Sequence, residues 1–437
     1  MWNPAVETLP WHEQREHDEP LYRAQIARLL ERSEFYRRKL TDAGFASADK
    51  VGGLAGITSL PFTEKDELRQ TRSDENAIGT HLAAETSEIV RIYSTSGTTG
   101  TPSYIPLAQD DLNSWIEISC RSYGASGVIA GERIVTTYNA GPFVAGVTLD
   151  AFARLGLCHI PVGAGNTERL MAAVRLLNPS VLGCTPSYAL HLAEWAEDRG
   201  IDLAASQVRR ILVAGEPGGG EPAMRARIED AWGAKVTEAM GIGDISVSLW
   251  GECECQDGMH FSGRGIVHVE LIDPASGAPV PLADGAEGEL VYTHLIHQAA
   301  PLLRFRSRDH VRVAMGPCPC GRTAPRVRCV GRTDDMLILR GVNLFPTAVR
   351  EVVNEFSPHV SGVIAIRPLQ RAVKQEPPLP VAVELAAEAQ PPADLAERIA
   401  RRIRDKLVAT TKVELVRHGT LPRSDYKSKL VDWSHSN

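Results

Sequence analysis

The sequence predicts an α/β fold: a large N-terminal domain with mainly parallel sheets flanked by helices plus an antiparallel section, and a small α+β C-terminal domain. Three observations carry this expectation. From Arg133 to Gly241, short apolar runs alternate with helical stretches, which is the pattern of βαβ units on a parallel sheet. From Gly265 the texture changes to alternating strands between Gly and Pro turns, the mark of antiparallel pairing. Beyond Arg332, helices and strands follow one another as a separate unit, so the expected division is 1–332 and 333–437.

The chain opens in helix, because Leu21, Tyr22, Ile26, Leu29, Leu30 and Tyr36 recur at helical spacing with Arg and Glu between them. In the phrase Leu60-Pro61-Phe62-Thr63-Glu64-Lys65, Thr63 is the expected helix cap. The strand at Ile134–Tyr138 is β-branched and is bounded by Gly141-Pro142. A helix near 144–154, a strand at Leu157–Val162 and a helix at Glu168–Leu177 follow. The alternation continues with a strand at Ser180–Thr185, a helix from Ser187 to about Asp198, a strand at Arg210–Ala214, a helix at Glu221–Trp232 and a strand at Lys235–Met240. Ligands of such sheets bind in the loops at the carboxyl ends of the strands. Those loops hold Tyr138–Phe143, Gly215–Gly220 and Gly241–Asp244. Strands at Val267–Ile272 and Glu289–Thr293 make the antiparallel section. The C-terminal unit reads as a helix at Pro346–Phe356, strands at Val360–Ile366 and Val381–Leu385, a helix at Ala393–Val408 and a strand near Val413.

Composition narrows the class of function. Charged residues make up 23% and hydrophobic residues 43%, values of an ordinary folded protein. Acidic residues (54) outnumber basic ones (47), so a whole-protein basic footprint for nucleic acid is absent. The longest uncharged stretch, Leu176–Ala193, contains Asn178, Pro179, Pro186 and His191 and reads as core, not as a membrane span. Met1-Trp2-Asn3-Pro4 has neither a basic nor an apolar leader pattern, so reduced thiols in the cytoplasm are expected. Eight cysteines are too few for a disulfide scaffold, but four fall in two close pairs, Cys253/Cys255 and Cys318/Cys320. Cys120, Cys158, Cys184 and Cys329 stand alone and are expected to be buried thiols.

The most informative segment runs Tyr93-Ser94-Thr95-Ser96-Gly97-Thr98-Thr99-Gly100-Thr101-Pro102-Ser103. Its glycines let consecutive N–H groups turn toward one anion, and its hydroxyls add donors, a composition that suits a polyphosphate. It is not a Walker A loop, because the lysine is missing. Further along stand Glu238-Ala239-Met240-Gly241-Ile242-Gly243-Asp244, Phe305-Arg306-Ser307-Arg308-Asp309, Gly331-Arg332-Thr333-Asp334-Asp335 and Leu421-Pro422-Arg423-Ser424-Asp425-Tyr426-Lys427.

In that order, these segments resemble the motif set of adenylate-forming enzymes: acyl-CoA synthetases, adenylation domains and luciferases. Trp2-Asn3-Pro4, Cys184-Thr185-Pro186-Ser187-Tyr188, Gly341-Val342-Asn343-Leu344-Phe345-Pro346 and Pro422-Arg423-Ser424 are similar to phenylacetate–CoA ligases and related aryl-CoA ligases, and the resemblance spans essentially the whole chain. It implies an acid–thiol ligase that uses ATP and Mg²⁺ to turn an aromatic or arylaliphatic acid into an acyl-adenylate, then passes it to coenzyme A. Two alternatives stay open: delivery to a carrier-protein phosphopantetheine or an amine, and a nucleotide-binding homologue without catalysis.

The resemblance also assigns roles. Ser94, Thr95, Ser96, Gly97, Thr98, Thr99 and Gly100 would hold the β- and γ-phosphates, with Thr101 where a lysine is common. Gly215, Glu216, Pro217, Glu238, Ala239, Met240 and Gly241 would line the nucleotide, Met240 standing where a tyrosine usually stacks on adenine. Asp244 replaces the glutamate that holds Mg²⁺, and Gly243 replaces a serine or threonine. Asp309 would accept the ribose hydroxyls, Arg332 would reach ribose or phosphate, and Asp334 would be the hinge of a mobile C-terminal lid. That lid would bring in the catalytic Lys427, although Tyr426 replaces the usual glycine and Lys429 competes for the role. Tyr138, Gly141, Pro142, Phe143, Ala214, Gly241, Ile242 and Gly243 would form a flat slot for the acid. Glu216 is an awkward wall for an anion, and would instead meet the base or a substrate amino or hydroxyl group.

The paired cysteines and His260 have the ligand chemistry of structural zinc, a site that some aryl-CoA ligase relatives carry. Cys253, His260, Cys318 and Cys320 are the chosen ligands, with Cys255 as the alternate. Oligomeric state is not legible in the sequence; a homodimer is the default because dimers are the commonest soluble assembly.

Overall fold

A computed structural model describes residues 1–94, 103–138, 143–340, 342–387, 389–423 and 429–436. The chain folds into two compact units: Met1–Gly183, Thr237–Ser307 and Val311–Arg328 form one, and Cys184–Val236, Arg308–His310 and Cys329–Asn437 form the other.

In the first unit, the helix Gln14–Arg32 buries Tyr22, Ile26 and Leu29 on one stripe, as their spacing dictates. The next helix, Glu34–Asp42, starts where the Ser33 hydroxyl accepts the Tyr36 N–H. The helix Lys65–Gln70 corrects an expectation: its cap is Glu64, whose N–H donates to Glu67 Oε2 at 2.8 Å. Thr63 serves the core instead, donating its hydroxyl to the Leu303 carbonyl at 2.6 Å.

Parallel pairing places Arg133–Thr136 between Cys158–Pro161 and Val181–Cys184. The helices Gly146–Arg154 and Thr167–Leu177 make the crossovers that parallel strands require. Cys158 opens the outer of these strands and is exposed, so it is not the buried thiol expected of it; Cys120 and Cys184 are buried and Cys329 is half-buried. The antiparallel section is present and is longer than the sequence indicated. Strand Lys235–Ile242 pairs with Ser246–Glu252, which pairs with Met259–Phe261, which pairs with Arg326–Arg332. Val267–Ile272 pairs with Glu287–His294, Val267 opposite His294.

In the second unit, Leu379–Leu385 lies between Val360–Ile366, antiparallel to it, and Thr411–Val416, parallel to it. The helix Leu395–Leu407 buries Leu395, Ile399 and Ile403, one residue per turn on a single face, and Pro346–Asn354 buries Val349, Val352 and Val353 in the same core. Each such fully buried aliphatic side chain contributes about 1.5–3 kcal/mol. Among the described residues, no helix is long and apolar enough to cross a membrane.

Candidate functional site

The turn after strand Lys235–Ile242 is shaped by Gly241. A Cβ there would lie 2.3 Å from the Val247 backbone, so only glycine allows the two strands to approach so closely. The pairing slips between Met240 and Ile242, and the Ile245 N–H closes the turn on the Ile242 carbonyl at 2.9 Å. Asp244 sits in this turn with its side chain 7% exposed and its Oδ2 2.6 Å from Lys65 Nζ. Both line a small cavity with Arg72, His81, Ser103 and Tyr104. Burial, then the neighbouring Arg72, pushes His81 down to about 4, so its ring is neutral there.

Ser94 and Tyr104 are opposite each other at the end of a hairpin of Ile89–Ser94 and Tyr104–Ala108. Thr95, Ser96, Gly97, Thr98, Thr99 and Gly100 lie outside the described residues, as do Gly141, Pro142 and Lys427. The ring of Tyr138 stacks on Phe152 with centroids 6.4 Å apart, and a Cβ on Gly183 would lie 3.5 Å from the Tyr138 ring. Phe143 bridges to Ser94. Glu238 and Ala239 are buried in their strand, the Glu238 N–H donating to Glu252 Oε2 at 3.1 Å, while Met240, Ile242 and Gly243 are half-buried.

In the second unit, Asp309, Arg332 and Asp334 meet. Arg332 Nη1 donates to Asp309 Oδ1 at 3.0 Å, and Arg332 grips Asp334 with Nε at 2.9 Å and Nη2 at 2.8 Å. Burial alone would lower the Arg332 pKa, but the Asp309 and Asp334 carboxylates outweigh it and raise it. Ala214 ends its strand half-buried and Gly215 follows with φ 98°, a left-handed conformation natural to glycine. Glu216 Oε1 accepts the Ser187 N–H at 2.9 Å, at the start of the helix Pro186–Glu197, where a carboxylate is favoured. The Pro217 carbonyl accepts from Arg350 Nη2 at 2.8 Å.

Arg423 anchors the segment before the lysine motif. It forks onto Glu384 through Nη1 at 2.9 Å and Nη2 at 2.7 Å, and the Leu421 N–H reaches the same carboxylate at 2.9 Å. Glu384 has no exposed side-chain surface, and Arg423 Nη2 also lies 3.4 Å from Glu194 Oε2. Lys429 is exposed.

The ligand atoms of Cys253, His260, Cys318 and Cys320 all lie within 4.8 Å of one another. Cys253 and Cys318 Sγ atoms are 3.7 Å apart, and Cys320 Sγ is 3.4 Å from His260 Nε2. Cys255 is exposed and outside the group. Three sulfurs and one imidazole converging at this distance fit a tetrahedral zinc ion, whose bonds run about 2.0–2.3 Å. His260 Nδ1 is buried and, among the described residues, has no hydrogen-bond partner, while Nε2 faces the sulfurs.

Sequence reasoning missed Lys65, Arg72 and His81. In the sequence Lys65 is only the end of a capping phrase, and a lysine opening a short helix carries no chemical signature of its own; the pairing with a residue 179 positions away is a product of the fold.

Two family models match the chain: the AMP-binding enzyme family over residues 28–294 and the AMP-binding enzyme C-terminal domain over 341–432. A phenylacetate-coenzyme A ligase of Thermus thermophilus is 34% identical over 445 aligned positions, covering 97% of both chains. The phenylacetate-coenzyme A ligase of Escherichia coli is 32% identical, covering 91% of this chain and 89% of its own. Among solved structures, a 2-hydroxyisobutyryl-CoA ligase in complex with 2-HIB-AMP superposes with a TM-score of 0.90 at 28% identity, covering 99% of this chain and 92% of that one.

Proposed function

The chain belongs to the AMP-binding enzyme family, and from that premise we propose that it is an AMP-forming acid–thiol ligase that converts an aromatic or arylaliphatic carboxylic acid to its coenzyme A thioester. The observation that carries this reading is the end-to-end similarity to phenylacetate-coenzyme A ligases, which runs through both the nucleotide-binding region and the C-terminal domain.

In the first step a carboxylate oxygen of the acid bonds to the α-phosphorus of ATP, the bond to the β-phosphate bridge breaks, and pyrophosphate leaves. In the second, the thiol of coenzyme A loses its proton to solvent, its sulfur bonds to the acyl carbon, and AMP leaves with the electron pair of the acyl–oxygen bond. Positioning and charge stabilisation do most of this. Ser94 to Gly100 are assigned to the terminal phosphates, and Lys65 and Arg72, which share a cavity with Ser103 and Asp244, would supply charge that position 101 lacks. Asp244 would hold Mg²⁺, a hard cation that takes one or two carboxylates plus phosphate oxygens and neutralises phosphate charge. Asp309, hydrogen-bonded by Arg332, would accept the ribose hydroxyls. The family resemblance assigns Gly215, Glu216, Pro217, Glu238, Ala239, Met240 and Gly241 to the nucleotide, Met240 to its base, and Tyr138, Gly141, Pro142, Phe143, Ala214, Ile242 and Gly243 to the acid.

Residues 333–437 act as a lid turning at Asp334, which falls between the two matched family models, and Lys427 follows charge from carboxylate to phosphate. Zinc at Cys253, His260, Cys318 and Cys320 would be structural, since four protein ligands leave no open position.

The test is a pyrophosphate-release screen over benzoates, phenylacetates, heteroaryl acids and branched 2-hydroxy acids, with coenzyme A, a carrier protein or an amine as acceptor. Selective turnover of an aryl or arylacetic acid with coenzyme A supports the reading. A response confined to aliphatic hydroxy acids overturns the substrate class, and a requirement for another acceptor overturns the second half-reaction.

A further inference from the structure

Behind the Asp244 turn stands a brace of buried polar side chains that the reaction chemistry does not itself use. His294 closes strand Glu287–His294 at 1% exposure. Its Nδ1 accepts the Leu302 N–H at 3.0 Å, which assigns the ring proton to Nε2. That Nε2–H donates to the Ile245 carbonyl, also at 3.0 Å. Ile245 has no exposed surface and directly follows Asp244.

The histidine is itself fixed. The His297 ring stacks on it with centroids 4.3 Å apart and 15° between planes. His297 Nδ1 lies 3.4 Å from Asp111 Oδ1. Asp111, fully buried at the start of helix Gln109–Ala125, accepts the N–H groups of Ala108 at 2.9 Å, Gln298 at 2.6 Å and Ala299 at 2.9 Å. The segment so pinned continues into Ala300 and Leu302, which line the cavity shared by Lys65 and Asp244. Helix start, pinned segment and turn therefore form one continuous hydrogen-bonded and stacked network ending at the neighbour of Asp244.

We propose that His294 is a positioning residue that holds the Asp244 carboxylate where it binds the divalent cation of the nucleotide complex. The inference rests on the reading of Asp244 as the magnesium-holding residue. His294 touches neither nucleotide nor metal; it acts through the Ile245 carbonyl. Burial keeps both rings uncharged, so Nε2 remains a donor and Nδ1 an acceptor across the neutral range.

The experiment measures Mn²⁺ binding to the enzyme–ATP complex by electron paramagnetic resonance, alongside the Mg²⁺ dependence of pyrophosphate exchange. Loss of one hydrogen bond should weaken Mn²⁺ binding in H294L by about three- to tenfold. H294Q, whose amide nitrogen reaches a position like Nε2, should restore most of it. Equal metal affinity in H294L and wild type would overturn the proposal, as would equal impairment of both variants in step with their melting temperatures. If H294L does not fold, H294N, too short to reach the carbonyl, takes its place with the same outcomes. D244N is the control that separates the two readings. If D244N leaves Mn²⁺ affinity unchanged, the metal assignment fails and the brace falls with it. If D244N weakens binding and H294L does not, the brace alone is wrong.

Discussion

Lys65 Nζ lies 2.6 Å from Asp244 Oδ2, an ion pair that joins the first turn of a short helix to a turn 179 positions further along the chain. The Asp244 side chain is 7% exposed and that of Lys65 31%, so solvent screens the pair less than it would a surface pair. Lys65 and Asp244 share their cavity with Ser103 and Tyr104, so a compact cation is delivered to this cavity from elsewhere in the fold.

Removing that cation should weaken nucleotide binding. For K65M, the KM for ATP in pyrophosphate exchange is expected to rise by about tenfold to a hundredfold, the loss of one charge-assisted contact. K65R should recover part of it, because a guanidinium keeps the charge but not the compact shape. An unchanged KM for ATP in K65M would remove Lys65 from the phosphate site.

How much of this was legible beforehand depended on whether a signal was local. The βαβ alternation was legible because each strand and helix carries its own periodicity. The helix Gln109–Ala125 was not, because it buries residues around most of its surface and so lacks an amphipathic stripe. Asp309, Arg332 and Asp334 could be named from motif order, and the structure places them in contact. Lys65 and His294 could not, since their partners are set by tertiary folding and no local pattern around either residue points to that partner.

The pair between Glu384 and Arg423 predicts a stability effect with a functional consequence. Glu384 is fully buried, so E384A removes the forked partner of Arg423, which is 25% exposed and keeps Glu194, and should destabilise the chain by about 1.5–3 kcal/mol, read from urea unfolding. Because Arg423 begins the segment that leads to Lys427, pyrophosphate exchange should fall even at temperatures where E384A is folded. Full exchange in the folded variant would make the pair purely structural.

Metal content separates the cysteines. One zinc per chain is expected from elemental analysis, with C253S and C318S losing it and melting earlier. C255S should keep both zinc and stability, because Cys255 is exposed and outside the cluster. Zinc loss in C255S with retention in C253S would reverse the ligand assignment.

Acid should unfold the protein through its buried histidines. His294 is pushed down to about 3 by burial and the facing His297, with opposing contributions from the Ile245 carbonyl and Asp111; His297 is pushed down to about 3 by burial and Arg28. In the unfolded chain both regain the ordinary value near 6.5, so below that pH the unfolded state binds protons that the folded state does not. Their contribution is complete above about pH 6.5 and is lost as pH falls toward 3, at roughly 1.4 kcal/mol per pH unit for each ring. The urea midpoint followed from pH 7 to 4 should show this slope, reduced by one proton in H294Q. An equal slope in H294Q and wild type would contradict it.

Acyl-adenylate formation followed by thioester formation with coenzyme A leaves defined products. The purified protein is incubated with phenylacetate, ATP, Mg²⁺ and coenzyme A, and the products are identified by mass. Phenylacetyl-CoA and AMP are expected in equal amounts, neither formed when acid is omitted, with both lost in K427A. ADP in place of AMP, or AMP whose formation does not depend on any acid across the aryl panel, would contradict it.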